Sequence, residues 1–210
     1  LEPAVIAYAP SRLPPDLPAS REALLRLLER NSGSLMGRVG TYDIQISGVG
    51  YLFALYDERT SSTFWGMANA LGRVGTRLYA NTGAILDDLD NGTLDVAYNV
   101  LGSYARARQK AGSDIAIVVP SDYVSVFTRS ALIHKQARRP DLAATFIDYL
   151  LSPRGQQTIA GPAGLGPLNA IESGSWFSKP VSNQSIGIVQ PLILNPSLLV
   201  GLDPTRRQRF

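Results

Sequence analysis

Two short stretches of the chain combine small residues with polar side chains in a way that suits the binding of an anion. Residues 47–50 read Ser-Gly-Val-Gly and residues 81–83 read Asn-Thr-Gly, and an apolar helical pattern follows each stretch. The N–H groups at the start of a helix lack partners and carry partial positive charge, so they attract carboxylate or phosphate. If the two helix starts face one another, they would hold an anion without any charged side chain.

Helix capping is the simpler interpretation of the same residues. Serine and asparagine are preferred N-cap residues, because their side-chain oxygens accept hydrogen bonds from the first turn of their own helix. Nucleophilic catalysis by Ser47 is disfavoured, since the stretch is not a Gly-x-Ser-x-Gly elbow and no acidic residue is placed to orient His134, the single histidine. Local sequence leaves the choice between anion binding and capping open.

A third candidate position is the end of a predicted strand at Tyr98 and Asn99. Residues that face a ligand collect at such ends in open α/β sheets. Neighbouring residues of a regular strand face opposite sides of the sheet. We therefore expect Asn99 to face the cleft and Tyr98 to pack in the core.

The elements that would position these residues alternate between strand and helix. The patterns predict strands at residues 4–8, 38–46, 74–79, 94–98 and 114–119. They predict helices that follow Ser20, the 47–50 stretch, residues 60–62, the 81–83 stretch and Pro140. Such alternation is typical of the α/β class.

The composition describes a folded chain without thiol chemistry. Of 210 residues, 45% are hydrophobic and 18% are charged, which excludes intrinsic disorder. The absence of cysteine and the single histidine exclude zinc fingers, thiolate clusters and cysteine nucleophiles. The net charge is +3 and the basic residues are scattered, so nucleic acid is not an expected partner.

Four segments carry a resemblance to a known family: residues 5–10 (VIAYAP), 42–48 (YDIQISG), 91–99 (NGTLDVAYN) and 141–156 (DLAATFIDYLLSPRGQ). Together they resemble the bacterial extracellular solute-binding proteins of ABC transporters, in the ferric-iron-binding branch of the type II periplasmic binding fold. The resemblance implies mixed sheets with flanking helices, arranged as two lobes joined by a hinge. It implies that residues 1–10 form a hinge and first-lobe strand, 11–118 the second lobe, 119–170 the C-terminal part of the first lobe, and 171–210 a tail that packs back on the second lobe. Most of the first lobe is expected to be missing.

The resemblance also implies a ligand site in the second lobe. The family's Ser-Gly pair and its two asparagines fall on residues that we had selected as helix starts or strand ends. Thr82 adds a second hydroxyl and Tyr104 a nearby phenol. The predicted ligand-binding residues are therefore Ser47, Gly48, Val49, Asn81, Thr82, Asn99 and Tyr104. Iron-binding members carry a Tyr-Tyr pair just after the second asparagine, where this chain has Leu101 and Gly102. A bare ferric ion is therefore not expected, and neither a metal site nor a cofactor is predicted.

These observations predict a periplasmic protein that is not an enzyme and that serves as the substrate-binding component of an ABC-type uptake system. Its ligand would be a small anion, phosphate or carboxylate, alone or with a chelated metal. It would act as a monomer and meet a permease or a sensor in the inner membrane. Two alternatives stay open: the effector-sensing domain of a LysR-type transcription regulator, and a periplasmic accessory of a two-component sensor.

Overall fold

A mixed β-sheet forms the centre of the computed structural model, which describes residues 2–13, 16, 18–161, 165–168 and 188–191. The strands are β1 (Glu2–Tyr8), β2 (Val39–Tyr42), β3 (Arg77–Tyr79), β4 (Val96–Leu101), β5 (Ala116–Val118), β6 (Tyr123–Phe127) and β7 (Ile188–Pro191). The helices are α1 (Arg21–Arg30), α2 (Gly48–Thr60), α3 (Phe64–Arg73), α4 (Thr82–Asp90), α5 (Gly102–Lys110), α6 (Pro140–Leu151) and α7 (Pro153–Ala160). None of the described helices is long and apolar enough to cross a membrane.

The strand order is β3-β2-β4-β1-β6-β7, and β5 also pairs with β1. Strands β3, β2 and β4 are mutually parallel, whereas β1 is antiparallel to β4, β5 and β6. Strand β1 therefore connects two regions of the sheet. Its last residues pair with β5, and its first residues, Glu2 and Pro3, pair with β6.

Apolar side chains cover both faces of the sheet. On one face, Phe53 of α2 and Ile85, Leu86 and Leu89 of α4 are buried in one cluster. On the other face, Leu24 and Leu28 of α1 pack with Met67 of α3 in a second cluster. Strand β1 is buried throughout, and from Val5 to Tyr8 its residues alternate between the two clusters, as expected for a strand that is covered on both sides.

The predicted α/β class is confirmed, and most of the predicted elements are present. Ser20 caps α1 as predicted, because its hydroxyl accepts a hydrogen bond from the N–H of Ala23 at 3.0 Å. The predicted strand over residues 38–46 is too long. Strand β2 ends at Tyr42, because the carbonyl of Asp43 then accepts from the N–H of Ser47 at 2.8 Å and closes a turn.

Four elements, α5, β6, α7 and β7, were not predicted from the sequence. Helix α5 reads GSYARARQK and buries little apolar surface, since its buried residues are Gly102, Ser103 and Ala105. Its apolar periodicity is too weak to reveal a helix. Of the predicted tail over residues 171–210, only 188–191 lie among the described residues, and they pair with β6 in parallel.

Candidate functional site

Three helices start at the same edge of the sheet, directly after three parallel strands. Strand β2 ends at Tyr42 and leads into α2, β3 ends at Tyr79 and leads into α4, and β4 ends at Leu101 and leads into α5. We call these strand ends and the first turns of α2, α4 and α5 the carboxyl edge. The carboxyl ends of parallel strands are where ligands bind in open α/β sheets. Six of the seven predicted ligand-binding residues lie in these helix starts, and the seventh, Asn99, lies two residues before the end of β4.

The first helix start is capped by its own serine. Ser47 is buried, and its hydroxyl accepts a hydrogen bond from the N–H of Gly50 at 3.2 Å. Gly48 is exposed and Val49 is half-buried. The capping interpretation of Ser47 therefore describes its local role. The hydroxyl hydrogen and the leading N–H groups of α2 are the donors that a ligand at this helix start would use.

The second helix start has the same construction. Asn81 is exposed, and its Oδ1 accepts a hydrogen bond from the N–H of Ala84 at 3.0 Å. The hydroxyl of Thr82 is buried and lies 2.5 Å from the hydroxyl of Tyr42. Asn81 is thus the N-cap of α4, and Thr82 faces the interior of the edge.

Tyr42 connects the helix starts, and the sequence analysis did not select it. Its hydroxyl reaches Thr82, and a methyl group at Gly50 would overlap its Cβ atom. Its ring, which is buried, therefore lies between the first turns of α2 and α4. Burial raises the pKa of Tyr42 to about 12, although hydrogen bonds with Thr82 and with the backbone of Leu101 offset part of the rise. Its position at a strand end, just before the 47–50 stretch, is the sequence signal that would have indicated it.

The expectation that Asn99 faces the cleft while Tyr98 packs on the opposite side of the sheet is wrong. Its φ is +58°, and the pairing of β1 with β4 shifts by one residue between Val5 and Ala7. This is a β-bulge, which interrupts the alternation of side chains along the strand. The amide nitrogen of Asn99 donates to Oδ2 of Asp57 at 2.7 Å, and the hydroxyl of Tyr98 approaches the same oxygen at 3.4 Å. The two side chains therefore reach one carboxylate instead of facing opposite sides.

The partners of Asn99 form a buried polar cluster, made of Arg21, Asp57, Tyr98, Asn99 and Ser125. Nη2 of Arg21 donates to Oδ1 of Asn99 at 3.1 Å, and Nε of Arg21 lies 3.9 Å from Oδ2 of Asp57. Burial disfavours the charged guanidinium, but the surrounding tyrosines and aspartates outweigh this effect and raise the pKa of Arg21. The cluster is a charged pair sealed in the core.

The remaining predicted residue, Tyr104, lies in the first turn of α5 and is 46% exposed. Leu101 and Gly102, which stand where iron-binding members carry tyrosines, are both buried. Among the described residues, no group of three or more His, Cys, Asp or Glu side chains is arranged to hold a metal ion.

A cavity of about 370 Å³ lies between α2 and α3, beside the sheet. Its wall is mostly apolar and includes Phe53, Phe64 and Trp65, while Asp57 and Asn99 border it from the polar cluster. Ser47, Asn81 and Tyr104 are not among its lining residues. Of the predicted ligand-binding residues, Asn99 alone lines this cavity.

Comparison with known protein families gives one match. The family model described as bacterial extracellular solute-binding protein matches residues 40–176. That segment includes both helix starts, the end of β4, and helices α5 to α7. A comparison with curated protein sequences finds no significant match.

Solved structures with the same fold are numerous. The substrate-binding protein of an ABC transporter from Agrobacterium tumefaciens is 31% identical, with a TM-score of 0.82 over 99% of this chain and 62% of that chain. An extracellular solute-binding protein from Bordetella parapertussis is 16% identical, with a TM-score of 0.66 over 99% and 65%. Iron-bound HitA from Pseudomonas aeruginosa is 23% identical, with a TM-score of 0.53 over 75% and 51%. This chain thus spans less than two thirds of each.

The comparisons confirm the predicted type II periplasmic binding fold. The matching family and the similar structures are solute-binding proteins and not enzymes, and the family is periplasmic, in agreement with both predictions. The family model covers more than half of the chain. The chain therefore belongs to the family of bacterial extracellular solute-binding proteins.

Proposed function

We propose that this chain is part of the substrate-binding component of an ABC-type uptake system and that it binds a small anion at the carboxyl edge. The ligand would be phosphate or a carboxylate, alone or with a chelated metal. Family membership and the similarity to the Agrobacterium substrate-binding protein support the transport role. The partner would be a permease or a sensor in the inner membrane, and the protein would act as a monomer.

The observation that carries the anion site is the meeting of helix starts around Tyr42. Gly50 of α2 and Thr82 of α4 both contact this one side chain, so the two positive helix ends lie within a side chain's width of each other. Partial positive charges at helix N-termini add where two helices converge on one place. Exposed Gly48 and Asn81 would present N–H and amide donors there.

The strand connections support the proposed lobe arrangement. Residues 11–118 would form the second lobe, which carries the anion site. Residues 1–10, whose strand β1 pairs with β6 through Glu2 and Pro3, would form the hinge between this lobe and residues 119–170. A ligand bound between the lobes would then favour the closed arrangement.

The test replaces both polar caps, Ser47→Ala with Asn81→Ala, and measures binding of inorganic phosphate and of succinate by calorimetry. We expect at least tenfold weaker binding, because hydrogen bonds to a charged group are worth about 1.5–3 kcal/mol each. The matched control is Ser20→Ala with Ser152→Ala, which removes two serine N-caps away from the carboxyl edge. The control should bind like the wild type. Unchanged binding by the Ser47 and Asn81 variant would exclude this site.

A further inference from the structure

A buried glutamate lies beside the first turn of α5. Glu2 has no exposed surface. Its Oε1 accepts a hydrogen bond from the hydroxyl of Ser103 at 2.6 Å, and its Oε2 accepts from the N–H of Ser103 at 3.4 Å. Burying a carboxylate is costly unless a cation is paired with it. The paired cation is Arg129, whose Nη2 donates to Oε1 of Glu2 at 3.2 Å.

Arg129 uses one of its three nitrogen atoms, Nη2, in the hydrogen bond with Glu2. Its side chain is 48% exposed, and Glu2 is its one hydrogen-bonding partner within the described residues. A guanidinium has five N–H donors in a planar fork that matches carboxylate and phosphate oxygens. No described residue accepts a hydrogen bond from its Nε or Nη1, which are the donors that a bound oxyanion would use.

Two other paired arginines, Arg139 and Arg108, differ in this respect. Arg139 donates through both Nε and Nη2 to the exposed Asp141, so its fork is already filled. Arg108 donates to Asp87 and also to Asp90. In Arg129 the counter-ion is instead fully buried, and no described residue accepts a hydrogen bond from the other donors of the guanidinium.

The Glu2–Arg129 pair lies at the carboxyl edge. Ser103 belongs to the first turn of α5, which follows β4 directly. Tyr104, the next residue of that turn, is exposed. The guanidinium of Arg129 is thus joined through Glu2 to the first turn of α5, one of the three helix starts of the carboxyl edge.

We propose that Arg129 binds the oxyanion of the ligand directly through its Nε and Nη1 donors, with Glu2 as the buried counter-ion that anchors the guanidinium. This inference rests on the proposed anion-binding function and adds a charged contact to it. The ligand class is a compact oxyanion, either a phosphate or a carboxylate. Glu2 would hold the guanidinium in place because a charge-assisted hydrogen bond and complete burial fix its own position.

The test compares Glu2→Gln with the double variant Glu2→Gln, Arg129→Gln. Both proteins have an uncharged residue 2, so removing Arg129 leaves no unpaired buried carboxylate. Calorimetry with inorganic phosphate and with succinate should show about 10- to 100-fold weaker binding for the double variant, and the more affected probe identifies the ligand class. Arg139→Gln, an equal loss of charge at an exposed arginine, should bind like the wild type.

A second measurement uses the wild-type chain. The Nε–H resonance of Arg129, assigned from its absence in Arg129→Lys, should shift as phosphate or succinate is added. Equal affinities of the two Glu2→Gln proteins, or an unmoved Nε–H resonance at saturation, would overturn the role of Arg129. If the Ser47 and Asn81 variant still loses binding in that case, the proposed function stands without Arg129. If the wild type binds neither probe, both proposals fail.

Discussion

Replacing Arg21 with methionine is the strongest available test of how the core holds α1 to the rest of the lobe. The Arg21 side chain is 2% exposed and lies 4.1 Å from the ring centre of Tyr123. It donates hydrogen bonds to the carbonyl of Tyr123 and to Oδ1 of Asn99. Methionine would fill much of the space of the arginine stem but would provide neither charge nor donors.

The expected loss follows from what remains around Asp57, which is 3% exposed. Without Arg21, the donors that remain to its carboxylate among the described residues are neutral, namely Asn99 at 2.7 Å and Tyr98 and Ser125 at 3.4 Å. Removing one partner of a buried ion pair costs about 3–5 kcal/mol. The pair is loose, with 3.9 Å between Nε and Oδ2, so we expect about 3 kcal/mol, at the lower end of that range.

Urea unfolding followed by circular dichroism measures this loss, and a double-mutant cycle isolates the pair. In the Asp57→Asn background, Arg21→Met should cost about 2 kcal/mol less than in the wild type, because no buried charge is left unpaired. Arg26→Met is the control, since Arg26 is 55% exposed and its partner Glu22 is 58% exposed, and it should change stability by less than about 0.5 kcal/mol. A loss below about 1 kcal/mol for Arg21→Met, or strict additivity in the cycle, would refute the reasoning.

Two further predictions concern packing and acid stability. Gly50→Ala should lower the free energy of unfolding by about 1–3 kcal/mol, because the new methyl group overlaps Tyr42. Gly48→Ala is the control, since a methyl group there meets no other atom and should have little effect. Equal urea midpoints for the two variants would contradict this prediction. Burial disfavours the carboxylate of Asp95, but hydrogen bonds from two arginines, Arg38 among them, outweigh this and lower its pKa. The ionised Asp95 therefore stabilises the fold at neutral pH, and this stabilisation is lost as the pH falls through the lowered pKa. The difference in the free energy of unfolding between wild type and Asp95→Asn should shrink between pH 7 and pH 3. A difference that stays constant over this range would argue against a stabilising role of the Asp95 carboxylate.

The sequence by itself determined the class of the fold and the helix starts. Ser20, Ser47 and Asn81 each accept a hydrogen bond from the N–H three residues ahead. Such caps depend only on local residue type and spacing, so sequence patterns reveal them. The apolar periodicity of α1 and α4 and the continuous apolar run of β1 were readable for the same reason.

Only the tertiary structure decided how the helix starts are joined and which polar groups are buried. The bulge that turns Asn99 towards Asp57 depends on the register with β1, which no local pattern contains. Tyr42 meets Thr82 across 40 positions, and Glu2 meets Arg129 across 127. Contacts over such separations arise when strands from distant parts of the chain pair in one sheet, so their residues carry no shared periodicity to predict them.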